Sequence, residues 1–325
     1  MQTTHQIRTY QAPIWAKNPH FQTIAPRVLW RRSKARLQWQ QFELNDGDFV
    51  DLAWQNQFAN DDTRPILLLL HGLHGCAESP YIKSLMQVNA QLGWRMVVMH
   101  QRGCSGRANR FWRSYHSGET DDLGQVVQMI KQRFPLAPLF AVGYSMGGNI
   151  LLNYLIGEPK NPIQAAISVS APLKLGACAD AINKGFSKVY QRYLISLMRS
   201  SLVSKHRSHP NRIEHLKLRN SSTFWDFDNV YTAPVHGFVD AADYYQQCSP
   251  KTRMATIKTP HLVVHSQDDP FMNHEVLLEP TQVSSHGQYL LTQSGGHVGF
   301  LEGEMNRPQS WLNHVIPSYF KSQLE

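Results

Sequence analysis

Residues 139–155 constrain the fold more than any other stretch. They read Leu139-Phe140-Ala141-Val142-Gly143-Tyr144-Ser145-Met146-Gly147-Gly148-Asn149-Ile150-Leu151-Leu152-Asn153-Tyr154-Leu155: an apolar run, a serine between glycines, then apolar residues at helical spacing. That order predicts a strand, a sharp turn and a helix. Gly143 to Gly147 fits G-x-S-x-G, in which small residues allow a strained strand-to-helix turn that holds the serine oxygen clear of the sheet. A helix starting just after Ser145 points its free amides and positive dipole end at the place where an oxyanion would form. The five residues alone fit a tight turn with a surface serine equally well, so the surrounding chain decides.

The surroundings are a series of buried strands. Pro65 to Leu70 is a short unbroken apolar run, as expected of a strand covered on both faces of a parallel sheet, and Trp94 to His100 is another. Helical spacing over Tyr81 to Leu92 joins them into a βαβ unit. A second helix is expected from Thr120, a candidate N-cap, to Phe134, with Asp121 and Asp122 in its first turn. Ala165 to Ser170, His261 to Ser266 and Gln288 to Thr292 read as further strands. Gln38 to Leu44 and Phe49 to Trp54 alternate apolar and polar residues around Asn45-Asp46-Gly47-Asp48, which predicts an antiparallel hairpin. The expected fold class is therefore α/β: six parallel strands with helices on both faces, plus the hairpin.

The 325 residues suffice for one large core with an insertion. Residues 1–40, rich in Gln, Pro and Trp, read as an N-terminal arm, residues 41–172 and 258–325 as the core, and residues 173–257 as a crossover and helical cap. Within the cap, Tyr190, Tyr193, Leu194, Ile195, Leu197 and Met198 are expected to form an apolar face over the serine.

Thirty-two Lys and Arg stand against 24 Asp and Glu, a net charge of +8, which suggests an acidic surface as a partner. No basic run reaches the length of a nucleic-acid-binding tail, so a nucleic-acid partner is not expected. The densest basic stretch, Arg27 to Arg36 with Arg31, Arg32 and Lys34 between, is interleaved with Val28, Leu29, Trp30, Leu37 and Trp39. Two readings are open: contact with anionic lipid, or a segment that packs its tryptophans on the core with its charges in water, and the second is preferred. Cys76, Cys104, Cys178 and Cys248 are scattered without C-x-x-C spacing, which suits a reducing compartment. Met1 to Pro13 has no apolar stretch of the signal-peptide kind, and nowhere do eighteen apolar residues run together. A cytoplasmic protein is expected.

A serine nucleophile needs a base in hydrogen-bond reach and an acid to fix the base's tautomer; after a G-x-S-x-G elbow these follow in the order Ser, Asp or Glu, His. Asp268 and Asp269 lie in the loop after the His261 to Ser266 strand, at the sheet end where ligands bind. Asp269, directly before Pro270, is preferred as the acid, with Asp268 left to bond the loop backbone. Gly295-Gly296-His297 follows the last strand, and its glycines let the loop carry the imidazole back toward the serine, which makes His297 the candidate general base. His71-Gly72-Leu73-His74-Gly75 follows the Pro65 to Leu70 strand, so the amides of Leu73 and Met146 are the expected oxyanion donors. His71 and His74 have metal-like spacing, but no carboxylate or cysteine completes a set. His100 to Gly106 has glycines without the G-K-[ST] ending of a phosphate loop, and is expected to be a structural turn.

Taken together, Asn18-Pro19-His20-Phe21-Gln22-Thr23, Arg102-Gly103-Cys104-Ser105-Gly106, Tyr115-His116-Ser117-Gly118-Glu119-Thr120-Asp121-Asp122-Leu123, the Gly143 to Gly147 elbow, Asp268-Asp269-Pro270 and Gly296-His297 resemble the YheT-like branch of the α/β-hydrolases over nearly the whole chain. The resemblance implies a serine hydrolase with esterase-type activity, a triad of Ser145, Asp269 and His297, acyl esters as small-molecule substrates, and neither metal nor organic cofactor. An acyltransferase or thioesterase with the same triad, and a non-catalytic binding protein on the same fold, stay open as alternatives.

Overall fold

The computed structural model describes residues 8–30, 36–56, 63–206 and 215–324; Arg31, Arg32 and Lys34 of the basic stretch lie outside the described residues. Two short N-terminal helices, α1 (Pro19–Ile24) and α2 (Pro26–Leu29), precede the hairpin of β1 (Gln38–Glu43) and β2 (Phe49–Gln55). The core then alternates strands and helices: β3 (Ile66–Leu70), α3 (Pro80–Leu92), β4 (Arg95–Met99), α4 (Asp121–Arg133), β5 (Leu139–Tyr144), α5 (Met146–Gly157) and β6 (Ala165–Val169). Among the described residues six helices follow: α6 (Leu175–Ile182), α7 (Ser187–His206), α8 (His215–Asn220), α9 (Phe224–Phe227), α10 (Ala233–His236) and α11 (Ala241–Cys248), with a π-helical turn, Asp228–Thr232, between α9 and α10. β7 (His261–Ser266) and β8 (Gly287–Thr292) complete the sheet. A small hairpin, β9 (Leu301–Glu304) and β10 (Arg307–Ser310), and α12 (Leu312–Lys321) end the fold.

The sheet has eight strands in the order β1-β2-β4-β3-β5-β6-β7-β8. The six from β3 to β8 are parallel; β2 joins antiparallel to β4 and carries β1 outside it. The unbroken apolar runs follow from burial on both faces. In β3, Ile66, Leu68 and Leu70 pack with Leu123, Val127 and Ile150 of α4 and α5, while Leu67 and Leu69 pack with Ile82, Leu85, Ile316 and Phe320 of α3 and α12. The expected α/β architecture is thus observed, with the hairpin antiparallel as read. The β9–β10 hairpin was not anticipated.

One local expectation fails. Thr120 stands at the N-cap of α4, but its backbone is already helical (φ −96°, ψ −22°) and its side chain makes no capping bond. A hydroxyl caps from extended backbone, which Thr120 does not have. The adjoining Asp122 is occupied instead by the guanidinium of Arg102, whose Nε and Nη2 donate to its two oxygens at 2.7 and 2.6 Å. Arg102 Nη1 also donates to Asp46 (2.7 Å) and Asp48 (3.1 Å), so one buried arginine ties the β1–β2 turn to α4. Ser105 donates to Asp51 of β2 at 2.6 Å. The Arg102 to Gly106 turn is therefore a structural clamp.

Removing this arginine leaves the buried Asp122 without the guanidinium that holds both its oxygens. Arg102→Met is expected to lower the unfolding free energy by about 3–5 kcal/mol in urea titration; Arg102→Lys should cost less because it keeps the charge, but still something because a point charge cannot fork between the carboxyls. Equal stability of Arg102→Met and the parent protein would refute the clamp.

Candidate active site

Between β5 and α5 stands Ser145 alone, at φ +52° and ψ −123°. A non-glycine residue in so sparsely populated a region costs on the order of 1–3 kcal/mol and persists only where its surroundings over-determine it. Here the Ser145 amide donates to Val169 O of β6 (2.8 Å), and its carbonyl accepts from the amides of Gly148 and Asn149 (2.9 and 3.1 Å). The flanking glycines are steric necessities. A Cβ on Gly147 would lie 2.5 Å from the carbonyl oxygens of Leu70 and His71, and one on Gly143 would lie 2.4 Å from Gly147 O.

Ser145 Oγ lies 2.9 Å from His297 Nε2, and His297 Nδ1 lies 2.8 Å from Asp269 Oδ2. The remaining oxygen of Asp269, Oδ1, accepts from the Phe271 amide at 2.8 Å. With both carboxyl oxygens accepting, the proton sits on Nδ1 and Nε2 is left to accept from the serine hydroxyl. Phe271 lies flat on the imidazole, 4.0 Å between centroids and 10° from parallel, and fixes the ring plane. Asp268 points elsewhere, with Oδ1 accepting from the Gly296 amide at 2.9 Å. The two adjacent carboxyls thus divide the loop between them, one holding the imidazole and the other the backbone that carries it.

The His297 loop is braced by a segment to which sequence reasoning gave no role. Thr23 Oγ1 in α1 accepts from the His297 amide at 3.0 Å. Gln22, fully buried, donates to Tyr10 OH and Ala16 O, and its Oε1 accepts from the Leu301 amide at 2.7 Å. Gly296 takes φ +59°, and a Cβ there would lie 2.6 Å from Pro19 O, so α1 rests directly on the loop. Asn18 starts this helix by accepting from the amides of His20 and Phe21. The signal available was the run Asn18 to Thr23 itself, quoted for its resemblance alone.

Opposite the histidine, the amides of Leu73 and Met146 have no acceptor among the described residues, and both residues border the same chamber as Ser145. The loop carrying Leu73 is pinned from both sides: the Gly72 amide donates to Tyr81 OH and the His74 amide to Tyr115 OH, each at 2.9 Å. His71 Nδ1 donates to Gly72 O (2.7 Å), and Nε2 accepts from the Gln101 amide (3.0 Å). Burial holds its pKa down to about 3, so the ring is neutral with both nitrogens committed to the loop. Both ring nitrogens of His71 are therefore occupied.

Ser145 opens onto two chambers. A cavity of about 130 Å³ lies on the Met146 side under the cap, walled by Leu175, Ala179, Ile182, Met198, Phe224 and Tyr245. A wider cleft of about 400 Å³ lies on the His297 side, between α1–α2 and α7, and opens outward past Ile24, Arg27, Val189 and Tyr193. The predicted apolar face of the cap is divided accordingly: Met198 faces the first, Tyr190, Tyr193 and Leu197 the second, and Leu194 both. Ile195 does not belong to it. One residue beyond Leu194 is a turn of about 100°, which carries Ile195 to the buried side of the helix, 2% exposed.

The smaller chamber has one acidic wall residue. Asp228, in the π-helical turn, accepts from Thr232 Oγ1 (2.5 Å) and Tyr245 OH (2.7 Å), and burial pushes its pKa up to about 6 despite both bonds. Since the unfolded carboxyl titrates near 4, the folded state keeps a proton that the unfolded chain releases. The stability this proton supplies is complete below about pH 4 and is lost as pH rises through 6, a difference on the order of 1–3 kcal/mol. Asp228→Asn, which needs no proton, is expected to raise Tm above that of the parent at pH 8 and to leave it nearly equal at pH 4. An equal shift at both pH values would assign the effect to packing.

Comparisons with known proteins agree with this architecture. A family model described as the alpha/beta hydrolase fold matches residues 65–304. YheT of Escherichia coli K12, a protein named as an esterase, is 44% identical over 95% of this chain and 92% of its own. The phospholipase ABHD3 of Bos taurus is 30% identical over 98% of this chain and 79% of its own. Among solved structures, the esterase Pf2001 of Pyrococcus furiosus superposes with a TM-score of 0.54 at 13% identity, covering 98% of this chain and 96% of that one, a likeness of fold. The chain is a member of the α/β-hydrolase superfamily, in its YheT-like branch.

Proposed function

We propose that this protein is a serine hydrolase of carboxylic esters, with Ser145 as nucleophile, His297 as general base and Asp269 as the acid that orients the imidazole. The observation that carries the reading is the continuous relay from Ser145 Oγ through His297 to Asp269, at 2.9 and 2.8 Å, beside the two free amides of Leu73 and Met146. Ser145 Oγ attacks the ester carbonyl while Nε2 takes its proton, and the carbonyl oxygen gathers negative charge between the two amides. The imidazolium returns the proton to the departing alcohol, leaving an acyl-enzyme on Ser145, which water activated by His297 hydrolyses. Ester and water are the only reactants consumed.

The chambers give the substrate a direction. The leaving alcohol must lie where Nε2 can protonate it, which favours the wide cleft on the His297 side for the alcohol and the mainly apolar chamber under the cap for the acyl chain. An alcohol entering the same cleft in place of water would turn hydrolysis into acyl transfer, and the 400 Å³ available there leaves room for one. The relatives named as esterase and phospholipase support acyl-ester chemistry as the common ground.

An alkyl fluorophosphonate is expected to label the native protein covalently and to leave Ser145→Ala unlabelled; equal labelling would remove Ser145 from the mechanism. With a p-nitrophenyl ester, Asp269→Asn should lower kcat by orders of magnitude and Asp268→Asn far less, and the opposite ranking would move the acid to Asp268.

Each buried methylene contributes up to about 0.8 kcal/mol. We expect kcat/KM for p-nitrophenyl esters to climb from acetate through butyrate until the chamber is full, and then to fall. A maximum at acetate with a steady decline would refute an acyl-binding cap.

A further inference from the structure

The charge of this chain is unevenly placed. Residues 1–42 contain seven Lys and Arg and no Asp or Glu, and residues 181–213 contain another seven with none. These two acid-free segments meet in space at the outer end of the wide cleft. His20 of α1 lies 3.1 Å from Tyr190 OH and packs on Phe186 at 4.6 Å between centroids. Arg27 of α2 donates to Tyr193 OH at 2.8 Å and lies over its ring.

The surface where they meet is apolar as well as basic. Phe21, Ile24, Val28 and Leu29 from the first segment and Phe186, Val189 and Tyr193 from the second are all at least 40% exposed, Val28 at 73%. Along α7 the pattern has three edges. Ser187, Gln191 and Ile195 are buried against the protein. Lys188 and Arg192 are exposed one step round, and residues 186, 189 and 193, at spacings of three and four, form an exposed apolar edge beside the cleft. Lys184 is also exposed just ahead of the helix.

Exposed aromatic and aliphatic side chains next to a row of cations are what an interfacial helix presents to anionic lipid: the apolar edge enters the headgroup boundary and the cations meet the negative surface. An acidic protein would meet the cations, but it would not account for seven exposed apolar residues around a cleft lined by Ile24, Val189 and Tyr193. No described helix is long and apolar enough to cross a membrane.

We infer that the face formed by α1, α2 and the first turns of α7 docks on an anionic lipid bilayer and presents the mouth of the His297-side cleft to it. The inference goes beyond the esterase reading, and its binding test is run with Ser145→Ala protein so that it stands whether or not the protein hydrolyses esters.

The protein is mixed with phosphatidylcholine vesicles, with or without phosphatidylglycerol, and pelleted. Pelleting is expected with the phosphatidylglycerol vesicles, diminished by added salt, and absent with phosphatidylcholine alone. Lys184→Glu, Lys188→Glu and Arg192→Glu combined should weaken binding by about 100-fold or more, and Val28→Ser should weaken it without altering its salt dependence. None of these four residues lines the cleft. Circular dichroism and, in the Ser145 protein, turnover of a soluble p-nitrophenyl ester should therefore be unchanged. Equal binding to both vesicle types, or undiminished binding by the triple variant, would overturn the inference. Retention on polyaspartate beads without pelleting by vesicles would also overturn it and reassign the face to an acidic protein.

Discussion

The closeness with which the first turn of α5 sits against the ends of β3 and β5 governs the rest of the molecule. Two of the contacts involved are backbone on backbone, at separations no side chain survives: a Cβ at Gly147 or Gly143 would lie 2.5 or 2.4 Å from a carbonyl oxygen. Because the helix begins so near the sheet, Ser145 has one conformation open to it, and that conformation holds its oxygen above the strand ends. The same closeness brings the Met146 amide beside the Leu73 loop. Strain on the order of 1–3 kcal/mol at one residue is offset by the packing of an entire helix on both neighbouring strands.

The partners of Ser145 arrive from distant parts of the chain, and each is fixed by something other than the serine. Tyr81, Tyr115 and a neutral His71 hold the Leu73 loop, and Asp268, Thr23 and a stacked Phe271 hold His297. Reactive groups positioned by packing and by buried hydrogen bonds do not need to reorganise when a substrate binds. His297 and Asp269 are 28 residues apart in sequence, but the loops that carry them leave adjacent parallel strands, β7 and β8, so the sheet delivers both to the same edge.

What could be read in the sequence was local. Doubly buried strands announce themselves as unbroken apolar runs, and a turn that admits only glycine announces itself by its glycines, so the sheet and the elbow were legible from residues near one another. Ser145, His297 and Asp269 stood out because each follows such a run. The bracing of the His297 loop was not legible: Thr23 and Gln22 are ordinary polar residues until their partners, more than 270 positions later, are placed beside them. Ile195 was misplaced by a single residue of helix rotation, an error that an apolar run inside an amphipathic helix invites. The Thr120 hydroxyl has a capping residue's chemistry but not its backbone, which only φ and ψ reveal.

The brace on the His297 loop also bears on how the protein is made. Thr23 and Gln22 leave the ribosome more than 270 residues before the amides they hold, those of His297 and Leu301. The sheet from β1 to β6 can collapse as soon as its strands are synthesised, and Ser145 can take its strained turn with them. The imidazole is absent until β8 has been made, and its loop lacks support until α1, made long before, packs against it. The hydrogen bonds from Ser145 through His297 to Asp269 therefore form only once these distant segments are all in place. Closing a contact over so long a span is slow, and here the slow step is also the one that braces the His297 loop.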